Sequence, residues 1–549
     1  MKRRQFLQLL TALGISPHIV NSRASDANLY QLPEFGNTRI LHFTDCHAQL
    51  LPIYYREPSI NIGVGNAKNK PPHLTEQAWL NFFGVKNGTR AAHAFTALEF
   101  NHAAQQYGKM GGFAYLASLI KQLRAEVGDG NSLLLDGGDT WQGSATALWT
   151  KGQDMLAACN LLGVDVMTGH WEFTYGQQQV LENIAAFNGD FVAQNINLSE
   201  EAQFAAETEN ASVFKPYVIK HLKNARVAII GQAFPFTPIA NPKHFIPDWQ
   251  FGIAEHALQS LINEIQTNKK ADVIVLLSHN GMDVDLKLAT RVTGLDVILG
   301  GHTHDAIPKP VLVGKTWVTN AGSHGKFLAV LDLEIKNGRL ADLRYQLLPV
   351  FSNLLTADSA MQRLIDDIRA PFLEKLRQPL AVAEQLLYRR DNFRGSFDQI
   401  LLDALLSRTE SEIAFSPGFR WGATLLAGDT VYFEDLLNHT AISYPNTYVS
   451  ALSGAEIKAI LEDVADNLFN PDPYYQQGGD MVRVGGMTFR CNAEAKMGAR
   501  ISECRLGNGE LLLPWKKYKV SGWAAVNKLA CAEPIWDLAE KYLLDKKTV

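Results

Sequence analysis

The 549-residue sequence predicts an α/β fold in which helices pack outside β-sheets. Apolar runs of strand length alternate with amphipathic helical segments between about residues 112 and 351, a pattern typical of layered α/β domains. Five of the apolar runs end in a turn that carries His or Asp. Because ligands collect at the carboxyl edge of the strands in such folds, the sequence also predicts a polar site at one sheet edge.

The stretch Ser132–Ser144 shows this strand-end pattern most clearly. Three leucines predict a short buried strand, two glycines end it in a tight turn, and the turn exposes the carboxylate of Asp139. Taken alone, a strand followed by Gly-Gly-Asp is also an ordinary surface turn. Four other apolar runs end in the same way and deliver Asp45 with His47, His170, His279, and His302 with His304. Side chains two residues apart on extended backbone point the same way, so each pair can hold one side of a metal site.

The first 24 residues predict an export signal. Two arginines in Lys2–Leu7 precede a short apolar segment, Leu9–Ile15, which is too short to span a bilayer as a stable helix. This arrangement resembles a twin-arginine signal, which would deliver the folded protein to the periplasm. The alternative is a basic amphipathic N-terminus.

A long connection, residues 52–107, separates His47 from the next predicted helix. Compact domains seldom carry such a connection without a use for it, so we expect it to cover the site opened by Asp45 and His47. The alternative is a disordered surface loop. Six large apolar residues favour a packed segment: Ile60, Ile62, Val64, Trp79, Phe82 and Phe83.

The chain is too long for one hydrophobic core, and its pattern predicts two domains joined by a helix. Helices are expected at about 112–127, 154–162, 177–188, 399–408 and 454–469. We expect the export signal at 1–24, a catalytic domain at 25–355, a linker helix at 356–378 and a smaller C-terminal substrate-binding domain at 379–549.

Two glycine-bearing runs stand out in the C-terminal region, Phe415–Gly422 and Gly478–Gly486. Each contains an arginine, and such loops suit anion binding; otherwise they are turns. The five cysteines are too few for a disulfide framework. Cys491 and Cys504 flank β-like segments and could pair across a hairpin, or they could be two buried thiols.

Composition limits the possible partners. With a net charge of −5, 46% hydrophobic and 19% charged residues, the chain has no general attraction to nucleic acid or to an anionic membrane. We expect a monomer with neither kind of partner. An anionic substrate must therefore be held by local positive groups or by metal ions.

Several motifs resemble those of the calcineurin-like metallophosphoesterases: Asp45-x-His47, Gly137-Gly-Asp139, Gly169-His-x-Glu-Phe173, Ser278-His-x-Gly281 and Gly301-His-Thr-His304. With its C-terminal region, the chain is similar to the two-domain 5′-nucleotidase group over nearly all its mature length. The resemblance implies a four-layered α/β/β/α N-terminal domain with a smaller 5′-nucleotidase-like α/β domain after it.

The chain departs from that group at one motif. Where the group has Gly-Asn-His-Glu-Phe-Asp, the chain has Gly169-His-Trp-Glu-Phe-Thr174, so that Trp171 replaces a catalytic histidine and Thr174 its aspartate partner. These changes resemble the SoxB family of sulfur-oxidation hydrolases. So do Thr44–Gln49, Arg56-Glu-Pro-Ser59 and Gly479-Asp-Met-Val-Arg483.

The resemblance implies two manganese ions that share Asp139. One site would be completed by Asp45, His47 and His304, and the other by His170, His279 and His302. Mixed imidazole and carboxylate ligands admit several metals, so manganese is selected by the resemblance alone.

The implied reaction is hydrolysis of a cysteine S-thiosulfonate on the SoxYZ sulfur-carrier protein by a dimetal-activated hydroxide, releasing sulfate and leaving a persulfide. Arg420 would bind the sulfonate, with Tyr175, Gly479 and Asp480 as further substrate contacts. Trp171 would contact the substrate or pack beneath the site. The alternatives are a periplasmic 5′-nucleotidase-like phosphoesterase, which the lost histidine disfavours, and a non-catalytic binding protein, which seven potential ligands disfavour.

Overall fold

The computed structural model describes residues 29–209, 211–526 and 532–549. The predicted export signal lies outside these residues. Within the described ranges, no helix combines the length and apolarity needed to cross a membrane.

The strands of the N-terminal region are β1 (Thr38–Phe43), β2 (Ser132–Asp136), β3 (Val166–Met167), β4 (Asp190–Phe191), β5 (Ile196–Leu198), β6 (Tyr217–His221), β7 (Arg226–Gln232), β8 (Trp249–Phe251), β9 (Val273–Ser278), β10 (Val297–Gly300), β11 (Val311–Val313), β12 (Thr316–Asn320), β13 (Phe327–Lys336) and β14 (Arg339–Pro349). They form one sheet in the order β14-β13-β1-β2-β3-β4 and a second in the order β11-β12-β10-β9-β7-β6, with a small β5-β8 pair beside them. Strands β1 to β4 are parallel to one another, as are β7, β9, β10 and β12. The carboxyl ends of the parallel strands therefore share one edge in each sheet.

The helices are α1 (Glu76–Phe83), α2 (Arg90–Phe95), α3 (Phe100–Tyr107), α4 (Phe113–Val127), α5 (Ala145–Thr150), α6 (Gln153–Leu162), α7 (Gln177–Ala186), α8 (Glu200–Ala205), α9 (Thr237–Ala240), α10 (Glu255–Thr267), α11 (Met282–Arg291), α12 (Ser359–Arg369), α13 (Leu373–Leu376), α14 (Ser396–Thr409), α15 (Phe433–Thr440), α16 (Gly454–Phe469) and α17 (Ile535–Lys546). The five helices predicted from periodicity are confirmed as α4, α6, α7, α14 and α16, with ends displaced by at most a few residues. Short 3₁₀ turns include Trp171–Tyr175 and Pro473–Tyr475.

Alternation along the strands produces four layers. In β2, Leu133 and Leu135 point into the core between the two sheets, whereas Leu134 points to the opposite face and packs in the core that contains α4. In β9, Val275 faces the other sheet and Leu276 faces the core that contains α10 and α11. The α/β/β/α arrangement is thereby confirmed: each sheet buries one face against the other sheet and one against helices.

The connection 52–107 is a packed segment that contains α1, α2 and α3. Trp79 is buried and stacks on Phe95 with ring centroids 4.8 Å apart, which gives the segment a small core of its own. Ile60 and Phe82, expected to pack, are exposed. A disordered surface loop is therefore the wrong description of this segment.

The C-terminal region contains β15 (Pro379–Val382), β16 (Ile413–Ser416), β17 (Thr430–Tyr432), β18 (Thr447–Ser453), β19 (Arg483–Gly485), β20 (Met487–Cys491), β21 (Ile501–Leu506) and β22 (Lys517–Trp523). Its main sheet has the order β18-β22-β16-β19, with β15-β17 and β20-β21 as separate pairs. The expected β20-β21 hairpin is present, but Cys491 lies opposite Ile501, not Cys504, and both cysteines are free thiols. The possible disulfide between Cys491 and Cys504 is not formed, because the register of the two strands does not bring the cysteines opposite each other.

Candidate dimetal site

Polar side chains gather where the parallel strands of both sheets end. The strand-end turns carry Asp45 and His47 after β1, Asp139 after β2, His170 after β3, His279 after β9, and His302 and His304 after β10. All seven converge in two buried clusters, one of Asp139, His170, His279 and His302 and the other of Asp45, His47, Asp139 and His304. Within each cluster the potential ligand atoms lie within 4.8 Å of one another.

The sequence predicted extended backbone at these residues, and the structure shows tight turns instead. The φ angles of Asp45, His47, Asp139, His302 and His304 are 52°, 43°, 57°, 72° and 58°, so each residue stands in a left-handed turn after its strand. Non-glycine residues seldom adopt this region, and they persist in it where surrounding contacts fix them. The paired side chains therefore converge through tight turns and not through alternation along a strand.

Asp139 lies between the two clusters. Its Oδ2 is 3.0 Å from His279 Nε2, 3.2 Å from His170 Nδ1 and 3.8 Å from His47 Nε2. Its Oδ1 accepts a 2.7 Å hydrogen bond from the backbone N–H of Trp171. Burial alone would raise the pKa of Asp139, but the two neighbouring imidazoles His170 and His279 hold it well below the usual value. Oδ2 is thus a charged oxygen that faces both clusters.

The imidazoles suit divalent cations. His279 donates its Nδ1–H to the Gly137 carbonyl over 2.6 Å and turns Nε2 toward Asp139, the way that outer partners orient metal-binding histidines. Burial lowers the pKa of His47 to about 4, which keeps its ring neutral, and its Nε2 lies 3.0 Å from His304 Nε2. Burial would also lower the pKa of His279, but Asp139 and Asp45 raise it to about 10, so this corner attracts positive charge. The donor set fits two ions that share Asp139.

Glu172 organises the turns without facing the clusters, a role that the sequence did not reveal. Its buried carboxylate accepts four backbone N–H bonds: Oε2 from His170 (2.8 Å) and Asp139 (3.2 Å), and Oε1 from Thr140 (2.7 Å) and Trp141 (3.2 Å). The β2 turn is thereby tied to the β3 turn. The only signal in the sequence was the position of Glu172 inside a motif.

A cavity of about 250 Å³ opens onto both clusters from between the two regions of the chain. Its walls combine metal-cluster histidines and Trp171 with Phe234–Ala240, Pro417–Trp421, Tyr444 and Gln477–Asp480. Aromatic rings therefore form much of the wall next to the ions' expected position. The residues 52–107 do not line this cavity, whose walls outside the clusters come from Phe234–Ala240 and the C-terminal region. They line two neighbouring cavities, one with His302 and one with His304, so the predicted cover lies beside the metal-ligand loop and not over the main cavity.

Trp171 packs beneath the site at the cavity wall, and its contact with the substrate stays a prediction. Its ring lines the cavity and is only 7% exposed. It packs edge-on against Phe419 and Trp421, with centroids 5.5 Å and 5.2 Å away, and lies 5.0 Å from the His170 ring. The hydroxyl of nearby Thr174 forms a 2.6 Å hydrogen bond with the hydroxyl of Ser443 in the C-terminal region.

The residues expected to bind substrate are placed differently from one another. Arg420 lines the cavity and donates through Nη2 to the Gly479 carbonyl over 2.6 Å. Asp480 also lies at the cavity but is 3% exposed, and its oxygens are engaged by Arg390 at 3.0 Å and Arg483 at 3.2 Å. Tyr175 does not line the cavity, because its hydroxyl donates to the backbone on the far side of the β2 turn.

Comparison with known proteins places this geometry in a class. Residues 38–306 match the family model of the calcineurin-like phosphoesterases, and residues 381–526 match that of the 5′-nucleotidase C-terminal domain. The calcineurin-like phosphoesterase family has a dimetal centre, and this structure has two matching clusters of potential metal ligands. The chain is a metal-dependent hydrolase with the two-domain architecture of the 5′-nucleotidases.

A more specific relationship follows from solved structures. The sulfate thiohydrolase SoxB of Thermus thermophilus is 36% identical, with a TM-score of 0.90 over 95% of this chain and 96% of that one. The chain belongs to the SoxB family. A 5′-nucleotidase precursor, also from Thermus thermophilus, shares the fold at 20% identity and a TM-score of 0.73, covering 93% of this chain and 97% of that one.

Curated relatives are more distant. Protein UshA of Escherichia coli K12 is 26% identical over 385 residues, 60% of this chain and 68% of its own length. The trifunctional nucleotide phosphoesterase YfkN of Bacillus subtilis is 25% identical over 432 residues, 70% of this chain, but the match spans only 28% of YfkN.

Proposed function

We propose that the protein hydrolyses a cysteine S-thiosulfonate on the SoxYZ sulfur carrier during thiosulfate oxidation, as an S-sulfosulfanyl-L-cysteine sulfohydrolase. Water adds its oxygen to the terminal sulfonate sulfur, and the bond between that sulfur and the sulfane sulfur breaks. Sulfate and a proton leave, and the carrier keeps a persulfide. No atom other than those of water is added, and no external oxidant or reductant is needed.

The observation that carries the proposal is the absence of a general acid beside the expected leaving group. Neither Trp171 nor Thr174 is such an acid, and the Thr174 hydroxyl is already hydrogen-bonded to Ser443. Among the described residues of the cavity wall, the titratable side chains outside the metal clusters are Arg420, Tyr444 and Asp480. Burial raises the pKa of Tyr444. Burial would also raise the pKa of Asp480, but Arg390 and Arg483 hold it below its usual value, so this carboxylate stays ionised and is no proton donor. An alkoxide leaving group requires such a proton. A persulfide, a much weaker base, does not.

We assign two manganese ions to the clusters, with Asp45, His47 and His304 completing one site and His170, His279 and His302 the other around Asp139. When bound, two such ions act as Lewis acids and lower the pKa of water. The chain's own residues then orient the substrate: the cavity is closed on one side by the Trp171, Phe419 and Trp421 rings, which favours an extended segment over a bulky group.

Arg420 is the residue we propose for sulfonate binding. The residue lines the cavity. Its Nε is buried, has no hydrogen-bond partner among the described residues and lies 3.7 Å from Asp480 Oδ1, while Nη2 donates to the Gly479 carbonyl, so that both neighbours hold the guanidinium in place. Guanidinium groups bind oxyanions through charge-assisted hydrogen bonds. Gly479 and Asp480 thus contribute to substrate binding by positioning Arg420. The predicted signal would place the enzyme in the periplasm, where its carrier would be met.

The test is a paired assay on the manganese-loaded enzyme: sulfate release from thiosulfonated SoxYZ and phosphate release from AMP. We expect the first reaction to be fast and the second to be at background, with Asp139→Asn as the inactive control. Efficient AMP hydrolysis without sulfate release would instead support a 5′-nucleotidase-like phosphoesterase and refute the proposal.

A further inference from the structure

The motif Arg56-Glu-Pro-Ser59 has no part in the cavity, yet it is densely hydrogen-bonded to the C-terminal region. Asp391 accepts hydrogen bonds from the Ser59 backbone N–H (2.7 Å), the Ile60 backbone N–H (2.9 Å), the Ser59 hydroxyl (3.0 Å) and Arg56 Nη1 (3.1 Å). The Arg56 guanidinium also stacks over the Tyr388 ring at 4.0 Å. A single buried carboxylate therefore fixes the segment from residue 56 to residue 60 onto the C-terminal region.

Arg390, the residue before Asp391, connects the C-terminal region to the loop that carries His302 and His304. The Arg390 side chain is 4% exposed. Its Nη1 donates to Asp480 over 3.0 Å, and its Nη2 donates to the backbone carbonyl of Thr303 over 3.1 Å. Thr303 lies between His302 and His304, so that Arg390 holds the middle of the loop that supplies one histidine to each cluster.

That loop requires external support. His302 and His304 both have left-handed φ angles, a conformation that non-glycine residues keep only where the surrounding structure fixes them. On one side the His302 backbone N–H donates to the Asp45 carboxylate over 3.0 Å. On the other, the His302 ring donates through Nε2 to the Gln477 carbonyl over 3.2 Å. Arg390 adds the contact at the centre of the loop.

The C-terminal region also lies in close contact with the loop at His302. A Cβ atom on Gly478 would lie 2.2 Å from His302 Nε2, which only glycine avoids. The His302 ring is thus held between its own domain and residues 477 and 478.

We propose that Asp391 is a positioning residue for the metal site. The clamp, defined as Arg56, Ser59, Ile60, Arg390 and Asp391, uses residues 52–107 to fix the C-terminal region against the His302–His304 loop. Both clusters depend on this loop, so the clamp preorganises both metal sites. The inference requires the dimetal site but not the sulfur substrate, so it can fail or succeed independently of the proposed reaction.

The test uses Asp391→Ala in the full-length protein, with two readouts besides activity. In metal-free protein, hydrogen exchange of the 301–305 backbone should become faster than in wild type. Calorimetric titration with Mn²⁺ should show affinity weakened by about 10- to 100-fold, the range for lost outer-sphere partners of metal ligands. The matched control is Glu494→Ala, because Glu494 also makes an ion pair between residues 52–107 and the C-terminal region, with Lys68, but at the exposed surface.

Two milder variants keep the test valid if Asp391→Ala folds poorly. Asp391→Asn retains the side-chain volume, and Ser59→Ala removes only the hydroxyl contact with Asp391. Both should change loop exchange and Mn²⁺ affinity in the same direction by smaller factors. If all three variants bind Mn²⁺ and exchange at 301–305 as the Glu494→Ala control does, Asp391 has no positioning role.

Discussion

Replacing Glu172 by Gln tests how the turns that carry the metal ligands are held together. The carboxylate accepts two backbone N–H groups on each oxygen, and an amide can offer only one acceptor oxygen. Two buried N–H groups therefore lose their partner. Since each unsatisfied buried group costs about 1–3 kcal/mol, the free energy of unfolding should fall by about 2–6 kcal/mol, a large share of the stability of an ordinary domain.

A second buried carboxylate that accepts several backbone N–H groups supplies the control. Glu462 likewise accepts backbone N–H bonds from Gly498, Arg500 and Ile501, at 2.8, 3.2 and 2.8 Å, far from the metal clusters in sequence and in the other region. We expect urea unfolding of the metal-free protein to show lowered stability in both Glu172→Gln and Glu462→Gln. Only Glu172→Gln should also weaken Mn²⁺ binding, measured by calorimetry. Unchanged Mn²⁺ affinity in Glu172→Gln would refute the proposed role of Glu172 in positioning the metal ligands.

Three further predictions concern the metals, the leaving group and acid stability. Asp139→Asn should remove at least one ion per chain by elemental analysis; two ions retained would contradict a bridging role. Trp171→His with Thr174→Asp should raise AMP hydrolysis by up to about 10²–10⁴-fold, the contribution of a general acid, with both ions still bound; no rise despite retained ions would count against the leaving-group argument. Burial lowers the pKa of His93 to about 3, so the unfolded state takes up the proton and stability is lost as pH falls from about 6.5. His93→Gln should remove about 1.4 kcal/mol per pH unit of that loss in urea unfolding series, whereas the same change at exposed His221 should not.

Short-range patterns were sufficient to predict helices packed outside β-sheets and the gathering of polar side chains at strand ends, whereas the four layers were implied by the family resemblance. Apolar runs of strand length mark the parallel strands, and the strand-end positions bring Asp139 to the edge of one sheet and His279 to the edge of the other. The single sheet edge that the sequence predicted is therefore wrong, because the ligands come from two sheets that face each other. The exact backbone was not predictable in this way. Left-handed turns at Asp45 and His302 arise from contacts made by residues distant in the chain, such as the Asp45 carboxylate bond to His302.

The position of residues 52–107 was predicted only in part. Proximity to His47 along the chain predicted a cover for the site; the segment lies beside His302 and His304, outside the main cavity. It is also fixed by Asp391, which lies more than three hundred residues later. No local pattern announces that pairing. The same limit applies to Asp480. The resemblance implied a substrate contact for it, and the structure shows at the cavity wall a carboxylate that Arg390 and Arg483 engage.

The most direct test of the central claim follows the oxygen and sulfur atoms in a single turnover. Thiosulfonated SoxYZ would be incubated with the manganese-loaded enzyme in water labelled with heavy oxygen, and the sulfate and the carrier would be analysed by mass spectrometry. We predict sulfate that contains one labelled oxygen atom and a carrier cysteine that retains one additional sulfur atom as a persulfide. Unlabelled sulfate, or a carrier returned as a plain thiol, would contradict the account.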